Sequence, residues 1–147
     1  MKLDDIIKEW QVDCEISSMH LDDASRKTPT LHSKYLELLS TAKLKLRRLE
    51  FEQKTLLKQK FLYYNGKMDE ETLKELGWDP DPFDGLRILK GEMNYYYDAD
   101  PEIQKSEEKI EYYKTIIDTL VNIIDTIKWR HQTIRNIIDW KRFESGS

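Results

Sequence analysis

The chain has 147 residues, of which 35% are charged and 39% are hydrophobic, and its formal net charge is −4. A periodic chain of this composition and length is typical of one folded domain with a modest core and excludes a disordered protein. The single cysteine, Cys14, excludes an internal disulfide and a zinc site built from thiolates. Because no run approaches the ~20 apolar residues that span a bilayer, and the first residues lack a signal-peptide pattern, we expect a cytoplasmic protein without membrane contact.

Apolar residues recur at helical spacing along most of the chain, which predicts an all-α fold with two long helices and several short ones. A short helix is expected over residues 3–13. The dipeptide Thr28-Pro29 has the residue types of an N-cap and a first helical position. A long helix should follow over residues 30–64, and Asn65-Gly66 should end it. All these elements are assigned to a single helical domain spanning residues 1–147.

The middle of the chain, residues 65–101, is rich in acidic residues, glycine and proline. Two helical turns are expected over 69–76, while 86–97 is ambiguous between a short helix and an irregular segment. We therefore predict an acidic and largely irregular segment here.

The last long stretch, residues 103–143, repeats apolar residues every seven positions in two rows, which predicts a long heptad-patterned helix. The pattern alone leaves two alternatives open, a core helix within one chain and a helix that joins subunits. At roughly 1.5 Å per residue, this helix would be about 60 Å long. The rest of a chain this short offers little to cover its apolar side chains, so we favour self-association. The residues predicted to form subunit contacts are Ile110, Tyr113, Ile117, Leu120, Ile124, Ile127, Ile134 and Ile138.

Charge is segregated along the chain. Residues 43–60 carry seven basic and two acidic residues, whereas residues 68–111 carry fourteen acidic and five basic ones. A basic helix followed by aromatic residues is the pattern of single-strand nucleic-acid binding, although a solvated face beside a tyrosine core would give the same composition. Lys60 favours the first interpretation because it occupies an apolar seam position, where a charge needs a partner or a ligand. The candidate DNA-contacting residues are Arg47, Lys54, Lys58, Lys60, Tyr63 and Tyr64.

Enzyme and metal signatures are lacking in the sequence. The segment DPDPFDG, which contains Asp79, Asp81 and Asp84, does not have the spacing of a calcium-binding loop. The sequence contains no glycine-rich phosphate loop, no GxSxG elbow and no HExxH motif. We therefore predict a protein that is not an enzyme and uses no cofactor and no metal.

Four stretches together resemble the UvsY family of phage recombination mediator proteins. They are LHSKYLELL from Leu31, LKQKFLYYNG from Leu57, GEMNYYYDAD from Gly91 and IKWRHQTIRNIIDWKRFESG from Ile127. They occur in the family's order in a chain of matching length.

The resemblance implies a helical protein that forms a ring-like homo-oligomer, a hexamer or heptamer, and binds single-stranded DNA. It further implies that the protein helps a RecA-like phage recombinase to load onto strands covered by a single-strand-DNA-binding protein. The family's basic DNA-contacting pair falls on Lys58 and Lys60, and its self-association region falls on the C-terminal helix. The alternative is a non-catalytic coiled-coil scaffold without DNA binding.

Overall fold

A computed structural model describes residues 1–146 of the chain. The described residues form helices and no strand, which confirms the predicted all-α class. A short 3-10 turn over Lys90–Glu92 precedes the fourth helix. The six α-helices are α1 Leu3–Asp13, α2 Leu21–Tyr64, α3 Glu70–Leu76, α4 Met93–Asp98, α5 Pro101–Lys128 and α6 Arg130–Glu144.

The described residues separate into two compact units. The first unit contains Met1–Lys45 and the residues from Tyr113 onward, and the second unit is Leu46–Tyr112. Helices α1 and α6 belong to the first unit and α3 and α4 to the second, while α2 and α5 contribute residues to both.

The first unit has an apolar core in which α5 packs against α1 and the N-terminal part of α2. The side chains that form it are Ile6, Leu31, Tyr35, Leu39, Ala42, Ile116, Leu120, Ile123 and Ile127. Burying one Ile or Leu contributes roughly 1.5–3 kcal/mol, so this cluster is the main source of stability for the unit. The Trp10 and Tyr35 rings pack nearly perpendicular to each other, with their centroids 5.4 Å apart.

A polar contact at the end of α1 fixes this helix to α2. Asp13 Oδ2 accepts hydrogen bonds from the Tyr35 hydroxyl at 2.8 Å and from Lys34 Nζ at 2.6 Å. Burial alone would raise the pKa of Asp13, but the hydrogen bonds from Lys34 and Tyr35 outweigh it and hold that pKa below its ordinary value. The buried hydroxyl of Tyr35 thereby has the acceptor that a buried polar group requires.

The start predicted for the long basic helix, residue 30, is wrong, because α2 begins at Leu21 and contains Pro29 in its interior. Proline removes one backbone hydrogen bond from a helix but does not always end it. Asp22 and Asp23 lie in the first turn, where the helix dipole favours acidic residues. The buried Arg130 side chain also donates to the Ala24 carbonyl at 3.4 Å, a contact from outside the segment that stabilises the early turns.

The predicted continuous helix over residues 103–143 is also wrong, because α5 ends at Lys128 and α6 begins at Arg130. Trp129 separates them with φ −93° and ψ 1°, outside the helical range. The apolar rows continue across this break, since Ile127 and Ile134 are both buried. The heptad pattern therefore records which side chains are buried, and it does not register one distorted backbone residue.

In the middle segment, residues 65–101, α3 confirms the two helical turns that were predicted over 69–76. The 3-10 turn and α4 show that the ambiguous stretch 86–97 is partly helical, so the segment is less irregular than its overall description predicted. Asp69 caps α3 by accepting from Thr72 N at 3.1 Å, and Gly77 ends it with φ 70°, as the left-handed C-cap position requires. An aromatic cluster packs this segment onto the end of α2. Its rings are Tyr63, Tyr64, Trp78, Phe83, Tyr96 and Tyr97.

The carboxylate of Asp100 lies at the centre of the second unit. Its Oδ1 accepts from the backbone N–H groups of Glu102 at 2.9 Å and Ile103 at 3.1 Å, which caps the start of α5. Its Oδ2 accepts from the Tyr64 hydroxyl at 2.6 Å and lies 2.9 Å from Lys60 Nζ. Burial would raise the pKa of Asp100, but hydrogen bonds from Tyr64, Lys60 and the Ile103 N–H lower it below its ordinary value.

We expect Asp100→Asn to destabilise the second unit while preserving its geometry. The amide oxygen can still accept from the N–H groups that it caps, but the amide NH2 group takes the place of Oδ2. The Tyr64 hydroxyl then loses its acceptor, and the Lys60 ammonium loses its buried opposite charge. Removing one partner of a buried ion pair costs about 3–5 kcal/mol, and the nearby Glu102 carboxylate, 3.3 Å from Lys60 Nζ, should keep the effect near the lower end. Urea denaturation at neutral pH measures the difference.

The same pair of proteins gives a pH test. Because the pKa of Asp100 is lowered by folding, its contribution is fully present above the unfolded-state pKa of about 3.9 and is lost as pH falls through the folded-state pKa. The stability difference between wild type and Asp100→Asn should be constant above about pH 5 and shrink toward about pH 2. A difference that does not change with pH would show that the charge is not what stabilises the site.

Candidate nucleic-acid interface

Five side chains of α2, three basic and two aromatic, lie on one face of the helix. They are Arg47, Phe51, Lys54, Lys58 and Phe61, spaced four, three, four and three residues apart. At about 100° per residue these positions fall within an arc of roughly 80°. We call this set the basic–aromatic stripe. Residues of the apolar seam, such as Leu49 and Leu56, fall on the other side of the helix.

The stripe is exposed along its length. Phe51 and Phe61 are 52% and 49% exposed, and the three basic side chains are also exposed. The Arg47 guanidinium carbon lies 4.4 Å from the Phe51 ring centroid and Lys54 Nζ lies 5.7 Å from it. Within residues 1–146, no carboxylate forms an ion pair with Arg47, Lys54 or Lys58, so the stripe presents cations without counter-charges to a ligand.

Lys60 points away from the stripe and into the second unit. A helix rotates about 200° over two residues, so Lys58 and Lys60 cannot share a face. Lys60 is only 4% exposed, is paired with Asp100 and lies with Nζ 3.9 Å from the Trp78 ring centroid. The seam charge that suggested a ligand therefore has its partners inside the protein. Any contact of Lys60 with a phosphate would require this ion pair to open.

Tyr63 and Tyr64 are likewise internal, each only 9% exposed. The Tyr63 hydroxyl donates to the Asp79 carbonyl at 2.6 Å, and the Tyr64 hydroxyl donates to Asp100. Burial raises the pKa of both hydroxyls, so they stay protonated donors. Neither ring offers a face on which a base could stack.

The structure thus divides the predicted DNA-contacting residues into two groups. Arg47, Lys54 and Lys58 lie together on the exposed stripe, whereas Lys60, Tyr63 and Tyr64 form the interior that supports it. Sequence reasoning missed Phe51, and it noted Phe61 among the aromatic residues at the end of the basic run without assigning it a DNA contact. Their signal was the alternating four and three spacing with the basic residues, half a turn away from the apolar seam.

The predicted subunit-contact residues also occupy different environments. Leu120 and Ile127 are in the core of the first unit, Ile134 is buried there, and Ile110 is buried in the second unit. Helices α1 and α2 cover more of the apolar rows of α5 than the sequence pattern predicted.

A narrower apolar surface remains beside this core. Tyr113, Ile117 and Ile124 are half-buried against the core, and Ile138 is 36% exposed. Val121, which is 47% exposed, lies one turn from Ile117 and Ile124 on the same side of α5. This flank is a partly exposed apolar part of the heptad region.

Within the described residues, no helix is both long and apolar enough to cross a bilayer. Among residues 1–146, no three or more His, Cys, Asp or Glu side chains are grouped in a way that could hold a metal ion. The chemistry of the stripe is therefore that of charge and aromatic surface.

Comparisons with known proteins agree along the full chain. The sequence model of the family described as "Recombination, repair and ssDNA binding protein UvsY" matches residues 9–147. The recombination protein uvsY of Enterobacteria phage T4 is 30% identical over 146 residues, which cover 99% of both chains.

Solved structures agree with this relationship. Two crystal structures of the bacteriophage T4 recombination mediator protein UvsY, of lattice types II and I, are each 29% identical to this chain, with TM-scores of 0.81 and 0.78. The first covers 99% of this chain and 98% of the T4 chain, and the second 95% and 98%. The family is non-catalytic, as the sequence predicted, and the chain belongs to the UvsY family of recombination proteins.

Proposed function

We propose that this protein is a recombination mediator that binds single-stranded DNA through the basic–aromatic stripe of α2. The observation that carries the proposal is the row of exposed cations, Arg47, Lys54 and Lys58, which have no ion-pair partner among the described residues. Phosphate contacts provide most of the sequence-independent affinity of such proteins. Family membership supports the same conclusion.

The distribution of charge supports binding on one face. Residues 68–111 carry a net charge of −9 (fourteen acidic and five basic residues), so the rest of the second unit repels a phosphate chain. Lys60 acts in this proposal as a positioning residue, because its ion pair with Asp100 holds the seam side of α2 inward. Lys58, the other member of the family's basic pair, contacts phosphates directly.

Assembly is the second part of the proposal. We infer a homo-oligomeric ring, a hexamer or heptamer, whose subunits meet through the flank formed by Ile117, Val121, Ile124 and Ile138. One stripe holds a mobile strand weakly, whereas several stripes at fixed spacing make each further contact intramolecular. The exposed apolar flank supports the proposed assembly.

The proposed partners are a RecA-like phage recombinase and a single-strand-DNA-binding protein, in the cytoplasm of the infected cell. A strand held at several points on a ring is constrained in shape, which loosens a competing binding protein without nucleotide hydrolysis. The recombinase then loads on the strand that is released. A helical scaffold without DNA binding is the alternative, and the tests below distinguish it.

We expect Arg47→Ala with Lys58→Ala to weaken binding to single-stranded oligonucleotides and to reduce its salt dependence. Each phosphate contact on a single strand contributes about −0.7 to the slope of log affinity against log salt. Losing two contacts should therefore flatten the slope by about 1.4. Fluorescence anisotropy over a series of salt concentrations measures both quantities.

The matched control is Arg48→Ala with Lys74→Ala. It removes the same two residue types from exposed positions of the second unit that lie off the stripe. The control should retain the wild-type slope. If both variants lose the same affinity for single-stranded DNA, binding depends only on the net charge of the protein. If the wild-type protein fails to bind the oligonucleotides, the scaffold alternative is supported.

We expect Val121→Asp with Ile138→Asp to dissociate the assembly without unfolding the subunit. Both side chains are partly exposed, so a carboxylate remains hydrated in the free subunit but is desolvated in a subunit contact. Light scattering should report a fall to the mass of one subunit, with unchanged helical circular dichroism. The control, Val12→Asp with Leu44→Asp, changes two exposed residues of the same unit and should keep the wild-type mass.

The mediator activity should depend on both DNA binding and assembly. On strands precoated with the binding protein, wild type should shorten the lag before the recombinase's DNA-dependent ATPase begins. The dissociated Val121→Asp/Ile138→Asp protein should lose this effect because its stripe acts alone. If the dissociated protein stimulates as well as wild type, the ring is not the working unit.

A further inference from the structure

The two phenylalanines of the stripe have no structural role that explains their exposure. The second unit buries Tyr63 and Tyr64 of α2, whose hydroxyls have internal acceptors, but leaves Phe51 and Phe61, which have no polar side-chain atom, about half exposed. Exposed phenylalanines at regular positions beside unpaired cations call for a ligand that suits both chemistries.

The cations argue against another protein subunit as that ligand. The centre of a protein interface is depleted of charged residues, and an apolar partner surface would desolvate Arg47, Lys54 and Lys58 without offering them counter-charges. A single strand of nucleic acid offers phosphates at close spacing together with exposed base faces. It therefore matches the combination of basic and aromatic side chains along the stripe.

We propose that Phe51 and Phe61 are base-stacking residues, and that Arg47, Lys54 and Lys58 hold the phosphates between and beside them. This inference rests on the proposed binding of single-stranded DNA and names the part of the strand that each side chain contacts. The cation near each ring supports it, with Arg47 4.4 Å from the Phe51 centroid and Lys67 Nζ 5.5 Å from the Phe61 centroid. A ring with a cation above it can meet a base with its other face or its edge.

The spacing of the rings determines what they select. Ten residues of helix separate them by about 15 Å, so two stacked bases would belong to one continuous strand with other bases between them. Duplex DNA keeps its base faces covered, so stacking selects single strands. Every base has an aromatic face, so the contact should tolerate any sequence.

The test compares two oligonucleotides of equal length and charge, one of thymidines and one of abasic sugar phosphates. Wild type should bind the thymidine strand more tightly. Phe51→Ala with Phe61→Ala should lose roughly 5- to 150-fold for each stacked base, while its affinity for the abasic strand and its salt slope stay unchanged. Phe51→Tyr with Phe61→Tyr should restore most of the preference, because an aromatic face remains.

Controls separate stacking from other roles of an exposed apolar residue. Leu86→Ala with Leu89→Ala removes two exposed apolar side chains of the same unit and should leave both affinities unchanged. Light scattering should give the double phenylalanine variant the wild-type mass. A changed mass would assign the rings to a subunit contact and overturn the proposal.

Failure of this inference is distinguishable from failure of the proposed function. If wild type binds thymidine and abasic strands equally and with the same salt slope, stacking is wrong but DNA binding stands. If wild type binds neither strand, the proposed function itself is wrong.

Discussion

The second unit depends on the hydrogen bonds and the ion pair of the Asp100 carboxylate. Four donors converge on it, two backbone N–H groups that begin α5, the Tyr64 hydroxyl and the Lys60 ammonium. A buried carboxylate is unfavourable unless it is fully hydrogen-bonded, so the site is stable only when all of these groups are in place. One acidic residue thereby joins the start of α5, the end of α2 and the aromatic cluster.

The position of Lys60 also determines what the opposite face of α2 can do. Helical geometry places Lys58 and Phe61 away from Lys60. Because the Lys60 ammonium is fixed in the interior, the face of α2 with Lys58 and Phe61 is exposed to solvent. The result is a helix with an ion pair on one side and exposed cations on the other. The exposed basic face of α2 is thus a consequence of where the buried Lys60 charge finds its partner.

The first unit reaches a similar division of roles by apolar packing. Leu120 and Ile127 face the core formed with α1 and α2, while Ile117, Val121 and Ile124 lie along its edge. The apolar surface of α5 is wider than the face that this core covers, so part of it stays exposed. The heptad pattern therefore carries two kinds of information that periodicity alone does not separate.

The sequence by itself determined the helical class, the helix end at Asn65-Gly66, the segregation of charge and the spacing of the stripe, because these depend on residues within a few turns of one another. Only the tertiary structure decided that Lys60 is paired with Asp100, that α2 begins before Pro29 and that the helix breaks at Trp129. These features depend on contacts between residues far apart in the chain, such as Arg130 with the Ala24 carbonyl. Local rules describe what a segment prefers, whereas burial and long-range partners decide which preference prevails.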